Sequence, residues 1–169
     1  MKCPVCNSEA VCTQGTYHYK ESGLDNVYLE GVDVCKCSCG EVIVSIPAMP
    51  QLHSVISLAI IEKKSLLIGQ EIRFLRKNMG LTATRLSKFI GVDNATISRW
   101  ENGSQTITKP HDHLIRLVYS NIKGIPKDRI KHLIKENFEE IEPKQKEVLK
   151  TIIPWPPNGG RTTETFRYN

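Results

Sequence analysis

The sequence predicts two modules of different fold class, a small β-rich unit at the N-terminus and an all-α unit after it. Three observations support this prediction. All six cysteines lie within the first 39 of the 169 residues, and valine-rich segments separated by glycines fill the same region. From Gln51 onward the apolar side chains recur with a helical period. Pro47 and Pro50 mark the change between the two patterns.

Residues 1–46 are predicted to form the β module. Segments rich in β-branched residues alternate there with Gly23, Gly31 and Gly40, which are typical turn positions. A unit of this size buries too little apolar surface to be stable by itself, so it needs a staple. The cysteines of the same region are the candidates.

The cysteine spacing predicts that this staple is a metal ion. Cys3 and Cys6 form a knuckle, two thiols three positions apart across a tight turn, and a second cysteine cluster follows at residues 35–39. Two such clusters in a small β unit are typical of a closed Cys₄ site, in which four sulfurs hold one structural Zn²⁺ and leave no open coordination position. The predicted ligands are Cys3, Cys6, Cys37 and Cys39.

The third ligand is the open point of this prediction. Cys39 is assigned because Gly40 follows it and permits the turn. Its partner is either Cys37, which we prefer, or Cys35. Cys12 is expected to be a small buried residue or a spare thiol.

Charge is distributed unevenly along the chain. Residues 1–50 carry three basic and six acidic side chains, a net of −3, which leaves +8 for the remainder of a chain whose net charge is +5. A basic C-terminal part is the electrostatic footprint of a surface that meets phosphate. No apolar run reaches the roughly 20 residues of a membrane helix, and the N-terminus lacks a secretory signal, so the chain is expected to be cytoplasmic with no membrane partner.

The helical part is predicted to contain several elements. A linker with a connecting helix spans 47–67, a helix-turn-helix domain 68–122 and C-terminal helices 123–153, and a tail expected to be mobile follows at 154–169. In residues 81–103, the small Ser87, the turn residue Gly91 and the apolar anchors Ile97 and Trp100 have helix-turn-helix spacing. That spacing lets two short helices cross closely enough for the second to enter the major groove. Either Asp93 or Asn94 is expected to cap this second helix.

This stretch resembles the helix-turn-helix of phage repressors and their large bacterial superfamily, over about residues 69–120. The resemblance implies base contacts by side chains at the start of the second helix and one turn further along: Asn94, Ala95 and Arg99. It implies phosphate contacts by Thr96, Asn102, Thr106, Thr108 and Lys109. Arginine is suited to guanine, asparagine to adenine and an alanine methyl only to thymine. Arg76 and Glu101 fall where these repressors carry an ion pair.

Three segments, MKCPVC, HYKESGLDNVYLEGVDV and LLIGQEIRFLRKNMGLT, resemble the MqsA family of antitoxins and regulators, whose zinc finger is of the YgiT type. The resemblance covers residues 1–120 and implies a homodimer that binds a palindromic operator in double-stranded DNA. For members paired with a toxin, it implies that the zinc module binds an RNA-cleaving toxin protein. An apolar stripe suits the dimer contact but equally suits packing within its own domain: Ile130, Leu133, Ile134 and Phe138.

The function expected from these patterns is that of a transcriptional repressor, the antitoxin of a type II toxin–antitoxin system. One alternative is a stand-alone zinc-finger and helix-turn-helix transcription factor without a toxin, and another is an adapter that binds no DNA. The chain contains no nucleophile–base pair, phosphate-binding loop or HExxH motif, so it is not expected to be an enzyme.

Overall fold

The computed structural model describes residues 1–46, 48–138 and 151–154, with side chains for 1–46, 48–132 and 153. The predicted combination of a small β-rich module and an all-α region is confirmed. The chain divides into two compact units. The N-terminal unit comprises Met1–Ile56 and the described residues after Val148, and the helical unit lies within Ser57–Glu147.

A small antiparallel sheet forms the N-terminal unit. Strand β1 (Val11–His18) pairs with β2 (Val27–Lys36), and β3 (Val42–Val44) pairs with the end of β2. A short 3₁₀ turn at Lys20–Ser22 lies between β1 and β2. Valine, isoleucine, threonine and tyrosine recur in these strands and favour them, because their side chains pack well on a pleated, half-buried surface.

The β1–β2 ladder contains a bulge at Gly31. Gly15 pairs with Val32 and Thr16 pairs with Glu30, so Gly31 is the extra residue of β2. Its φ of 77° lies in the left-handed region, which glycine adopts at little cost. The turn glycine expected from the sequence therefore lies inside a strand, where it shifts the register of the ladder.

A fourth strand corrects the prediction for the C-terminal region. C-terminal helices are predicted as far as residue 153, but Thr151–Pro154 form strand β4, parallel to Val27–Glu30 of β2. Ile153 is 1% exposed, so burial of this side chain outweighs the helical pattern that precedes it. Residues 139–150, where a further helix was expected, and the tail after Pro154 lie outside the described residues.

Helix α1 (Met49–Glu62) follows the sheet, and the boundary between the units falls inside it, after Ile56. In the N-terminal unit, the buried Tyr19 hydroxyl lies 3.0 Å from Nε2 of His53 on α1. The core of this unit includes seven buried apolar side chains: Leu24, Val27, Leu29, Val32, Leu52, Ile56 and Ile153.

Further helices build the helical unit: α2 (Gly69–Asn78), α3 (Ala83–Ile90), α4 (Asn94–Glu101), α5 (Lys109–Ile122) and α6 (Lys127–Phe138). Helix α4 packs against α2 and α3. Their apolar faces meet in a core that includes Ile72, Leu75, Leu86, Ile97, Trp100, Ile107 and Ile115. None of the helices in the described part of the chain has the length and apolar character needed to span a membrane.

A buried ion pair joins α5 to the segment that precedes α2. The Arg116 guanidinium donates to the Asp112 carboxylate at 2.8 Å and to the carbonyl oxygens of Ile61 and Lys63, both at 2.7 Å. The other oxygen of Asp112 accepts the Leu67 backbone N–H at 2.7 Å. These bonds satisfy carbonyl groups at the end of α1 that its own hydrogen bonds leave free. They also fix the chain just before α2 begins.

Candidate nucleic-acid interface and metal centre

Helices α3 and α4 form the predicted helix-turn-helix. Thr82 caps α3, accepting the Arg85 backbone N–H at 3.2 Å. Gly91 ends α3 with a φ of 76°, a left-handed conformation that gives a tight turn into α4. Asp93, not Asn94, is the N-cap of α4 and accepts the Thr96 backbone N–H at 2.6 Å. Asn94 is therefore the first residue of the helix.

The inner face of α4 is fixed by apolar packing and by an ion pair. Ile97 and Trp100 are buried, and the Glu101 carboxylate at the helix end is 7% exposed. Arg76 of α2 binds both Glu101 oxygens, at 2.5 and 2.8 Å, and donates to the Leu81 carbonyl oxygen. The hydrogen bond to Glu101 raises the pKa of Arg76 above its ordinary value. The ion pair predicted between Arg76 and Glu101 is thus confirmed.

The outer face of α4 presents the residues expected to read bases. Asn94, Ala95 and Arg99 are exposed, and so is Ser98, which is not among the predicted contact residues. The Arg99 guanidinium donates to Thr96 Oγ1 at 2.9 Å, and Thr96 Oγ1 donates to Asp93 Oδ2, also at 2.9 Å. This chain of hydrogen bonds holds the guanidinium over the first turn of the helix, while half of the Arg99 side chain stays accessible.

Asp93 is the acidic residue at the end of this series of hydrogen bonds. The Thr96 backbone N–H, then the Thr96 hydroxyl, lower the pKa of the Asp93 carboxyl group below its ordinary value. Asp93 is therefore ionised at neutral pH, and its charge attracts Arg99 from a distance of 3.9 Å. The helix pattern predicts Asp93 only as a possible cap, and its position three residues before Thr96 is the sequence signal for the wider role.

The loop after α4 carries the remaining predicted phosphate contacts. Thr106, Thr108 and Lys109 are exposed, and Lys109 is the first residue of α5. The Thr108 hydroxyl lies 2.7 Å from Nδ1 of His111. A lysine and free backbone N–H groups at a helix N-terminus favour a phosphate group there.

Asn102 differs from these loop residues. Its side-chain oxygen accepts the Ser104 backbone N–H at 2.9 Å, so the structure uses this side chain to shape the turn. A phosphate contact by Asn102 would therefore come from its amide nitrogen.

Four cysteine sulfurs in the N-terminal unit form a compact cluster. The Sγ atoms of Cys3, Cys6, Cys37 and Cys39 all lie within 4.8 Å of one another, and no other such group of possible ligands occurs among the described residues. Cys3 and Cys39 are 3.7 Å apart, and Cys6 and Cys37 are 3.3 Å apart. Sulfurs that share a tetrahedral zinc ion stand about 3.8 Å apart. The donor set and its spacing therefore fit one metal ion, such as zinc.

Two backbone turns hold this cluster. The Asn7 N–H bonds to the Cys3 carbonyl, and the Gly40 N–H bonds to the Cys37 carbonyl. Each turn brings two cysteines to the same point, as expected for a knuckle. The shortened second knuckle, with one residue between Cys37 and Cys39, still closes in this way.

The thiols of the cluster do not ionise alike without a cation. Hydrogen bonds from Ser8, first its backbone N–H and then its hydroxyl, lower the pKa of Cys6 to about 6. The Glu41 backbone N–H also lowers the pKa of Cys39, but hydrogen bonds to the neighbouring sulfurs and desolvation outweigh it and raise that pKa to about 12. A divalent cation would favour the thiolate form of every ligand.

Cys12 and Cys35 have a different role from the one expected. They are directly opposite each other on β1 and β2 and form a disulfide. Cys12 is exposed, so the expectation of a small buried residue or spare thiol is wrong. The pairing of Cys12 with Cys35 depends on strand register, which the spacing of the cysteines does not reveal. With its sulfur in this bond, Cys35 is unavailable as a ligand.

These features define a helix-turn-helix unit with an exposed second helix, accompanied by a four-cysteine cluster that can hold a metal ion. Residues 72–111 match the family model HTH_3, described as helix-turn-helix. The match runs from α2 into α5 and includes all of α3 and α4. It supports a DNA-binding transcription regulator of the XRE type, which binds double-stranded DNA. No curated protein matches the chain.

Proposed function

We propose that this chain is a sequence-specific transcriptional repressor and the antitoxin of a type II toxin–antitoxin pair. In this proposal α4 reads operator bases through Asn94, Ala95 and Arg99. The phosphate contacts come from Thr96, Asn102, Thr106, Thr108 and Lys109. The observation that supports the DNA-reading part of the proposal is the contrast between the two faces of α4, one fixed by the core and the Arg76–Glu101 ion pair, the other exposed.

Arg99 is the central residue of the reading face. Its guanidinium is already held by Thr96 and Asp93, so less side-chain freedom is lost when it binds a base. The two parallel N–H groups of a guanidinium match O6 and N7 of guanine.

A selection experiment tests the DNA-reading role. The full chain is used to enrich duplexes from a random-sequence pool, and its Kd is then measured on the selected duplex and on a scrambled one at several salt concentrations. We expect a preference of at least about 10³-fold for the selected duplex. We also expect Lys109→Ala to weaken both duplexes similarly and to reduce the salt slope by about one. A wild-type chain with no preference would exclude sequence-specific regulation.

Palindromic operators and a homodimer belong to the same proposal. One recognition helix spans only a few base pairs, so useful specificity needs two half-sites about one helical turn apart. The stripe predicted for the dimer contact lies on α6, where Ile130 is partly buried and Leu133, Ile134 and Phe138 lie outside the described side chains. Sedimentation of the full chain at micromolar concentration is expected to give a dimer. A strict monomer, with a selected duplex that lacks two-fold symmetry, would contradict this part.

The zinc module is proposed as the protein-interaction platform, with a basic RNA-cleaving toxin as its partner. An open groove of about 480 Å³ in this unit is lined by Tyr17, Val42 and Ile46 and by the acidic Glu21 and Glu41. Its acidic rim, in a region of net charge −3, complements an enzyme that binds RNA phosphates.

The toxin role can be tested with the product of a small reading frame adjacent to this one. Binding of that product to the full chain is measured by calorimetry, together with its RNA cleavage. The double change Glu21→Lys and Glu41→Lys is expected to weaken binding at least about tenfold while leaving affinity for the selected duplex unchanged. If the adjacent gene product does not bind the full chain and does not cleave RNA, the stand-alone transcription factor is favoured.

A further inference from the structure

Gly69, the first residue of α2, lies against the main chain of the last turn of α4. A Cβ atom at this position would lie 2.4 Å from the Trp100 carbonyl oxygen and 2.7 Å from that of Glu101. Ordinary contacts of a Cβ atom begin at 3.4 Å, so even a methyl group requires a displacement of about 1 Å. Its φ lies outside the left-handed region, so glycine is required here for space.

The overlap cannot be relieved by a side-chain rotation, because the contacted atoms belong to the backbone. The start of α2 is also held in place from several directions. Leu67 N–H is bound to the buried Asp112, and Ile68 N–H donates to the Glu71 carboxylate at 2.8 Å. Glu71 in turn forms a 2.6 Å ion pair with Lys63. A side chain at position 69 would therefore push the start of α2 and the end of α4 apart.

Displacement of the end of α4 would be transmitted to the residue that reads DNA. Arg99 precedes Trp100 and Glu101, whose carbonyl groups Gly69 contacts, whereas Asn94 is at the opposite end of the helix. Base-edge hydrogen bonds need donor–acceptor distances of about 2.7–3.2 Å, so a shift of about 1 Å is enough to break a bidentate pair.

We propose that Gly69 is a positioning residue for base reading. Because it has no side chain, the start of α2 can approach the end of α4 closely, and this close approach sets the position of Arg99. This inference rests on the proposed DNA-reading function. Arg73 contributes to the same support, since its guanidinium lies 3.4 Å from both the Glu101 carboxylate and the Glu101 carbonyl oxygen. Neither residue needs to touch DNA for this role.

The test compares Gly69→Ala with Gly15→Ala on the selected and scrambled duplexes. A Cβ atom at Gly15 meets nothing within 4 Å, so this change is a matched control. Gly69→Ala is expected to lower the ratio of the two affinities about tenfold with little change on the scrambled duplex, whereas Gly15→Ala leaves both affinities unchanged. A Gly69→Ala protein that folds and keeps the wild-type ratio would overturn the inference.

A double-mutant cycle separates positioning from general loss of stability. If Gly69 acts through Arg99, Gly69→Ala has almost no further effect on the affinity ratio in an Arg99→Ala background. If the two substitutions lower the affinity ratio independently, so that their effects multiply, Gly69 does not act through Arg99. If instead the wild-type chain has no preferred duplex, the proposed function fails first, and the inference falls with it.

Arg73→Met provides a second test in case Gly69→Ala does not fold. Arg73 is half-exposed, so the variant is expected to fold. It should lower the affinity ratio about threefold, because it removes the two long contacts between Arg73 and Glu101. An equal loss on both duplexes would identify Arg73 as a phosphate contact and overturn its positioning role, and an unchanged ratio would do the same.

Discussion

The two units of this chain are stabilised by different chemistry. In the N-terminal unit, four cysteine sulfurs meet at one point and a disulfide links β1 to β2, beside a small apolar core. In the helical unit, the described residues include no cysteine, and apolar packing is combined with two buried or nearly buried ion pairs, Asp112–Arg116 and Arg76–Glu101. We therefore expect the stability of the first unit to depend on a bound metal ion and on redox conditions, and that of the second unit to depend on neither.

This difference fits the roles proposed for the two units. A surface that reads DNA must hold its side chains within about 0.5 Å of the geometry needed for binding. Packed helices and fully hydrogen-bonded ion pairs achieve this. A small interaction module has too little core for that and takes its stability from ligands that the cell can supply or withdraw.

Loss of one zinc ligand should affect only the N-terminal unit. Cys3→Ser is expected to remove about one zinc per chain and with it a stabilisation on the order of 10 kcal/mol, so that residues 1–46 unfold. Hydrogen exchange read by mass spectrometry should show lost protection there and unchanged protection in α2–α5. A wild-type chain with no zinc or two metals by elemental analysis, or unfolding of both units together, would contradict this separation.

Removal of the buried guanidinium should damage the helical unit instead. Arg116→Ala leaves the Asp112 carboxylate buried without its partner and frees carbonyl groups at the end of α1. We expect the free energy of unfolding of this unit to fall by about 3–5 kcal/mol, with zinc content unchanged. Arg129→Ala is the matched control, because its ion pair with Glu62 is partly exposed and should contribute at most about 1 kcal/mol. Similar losses for both variants in urea titrations would be inconsistent with the buried network.

Loss of the disulfide should have an intermediate effect that depends on the reductant. The bond closes a loop with a sequence separation of 23 residues, which corresponds to a stabilisation of about 3 kcal/mol in the chain-entropy model. Cys12→Ser is expected to lower the stability of the N-terminal unit by this amount without reductant, while zinc is retained. In dithiothreitol the variant and the wild type should be equally stable. Loss of zinc from Cys12→Ser would instead place Cys12 among the ligands.

Removal of the ion pair beneath α4 should have a smaller effect. Arg76 is 14% exposed and its partner Glu101 7%, so solvent screens the pair only in part. Arg76→Ala is expected to lower the free energy of unfolding of the helical unit by about 2 kcal/mol. The exposed neighbour Lys77 provides the control, since Lys77→Ala should stay within about 0.5 kcal/mol of the wild type. Thermal melts with equal shifts for the two variants would contradict a structural role for Arg76.

Several features of this molecule were predictable from local sequence signals. Gly91 and the apolar anchors Ile97 and Trp100 indicated the turn and the buried face of α4, because helix caps and helical periods are local properties. The sequence also indicated the Arg76–Glu101 pair through the phage-repressor resemblance. The cysteine knuckles predicted the four cysteines whose sulfurs cluster in the structure, because each knuckle is closed by a turn of a few residues.

Other features depend on contacts between distant parts of the chain. The Cys12–Cys35 bond follows from the β1–β2 register, and strand β4 exists because Ile153 is buried in the N-terminal unit. The role of Arg116 depends on carbonyl groups more than 50 positions away. Local periodicity carries no information on such pairings, so a helical pattern near residue 153 gave a wrong element.

Arg99, on the exposed face of α4, is proposed to read a base. The most direct measurement is the Kd of Arg99→Ala on the selected and scrambled duplexes at three salt concentrations. We expect a loss of about 1–3 kcal/mol on the selected duplex, almost none on the scrambled duplex and an unchanged salt slope, because a base contact specifies sequence without neutralising a phosphate. Equal losses on both duplexes, with a salt slope reduced by about one, would show that Arg99 binds the DNA backbone and would contradict the assignment.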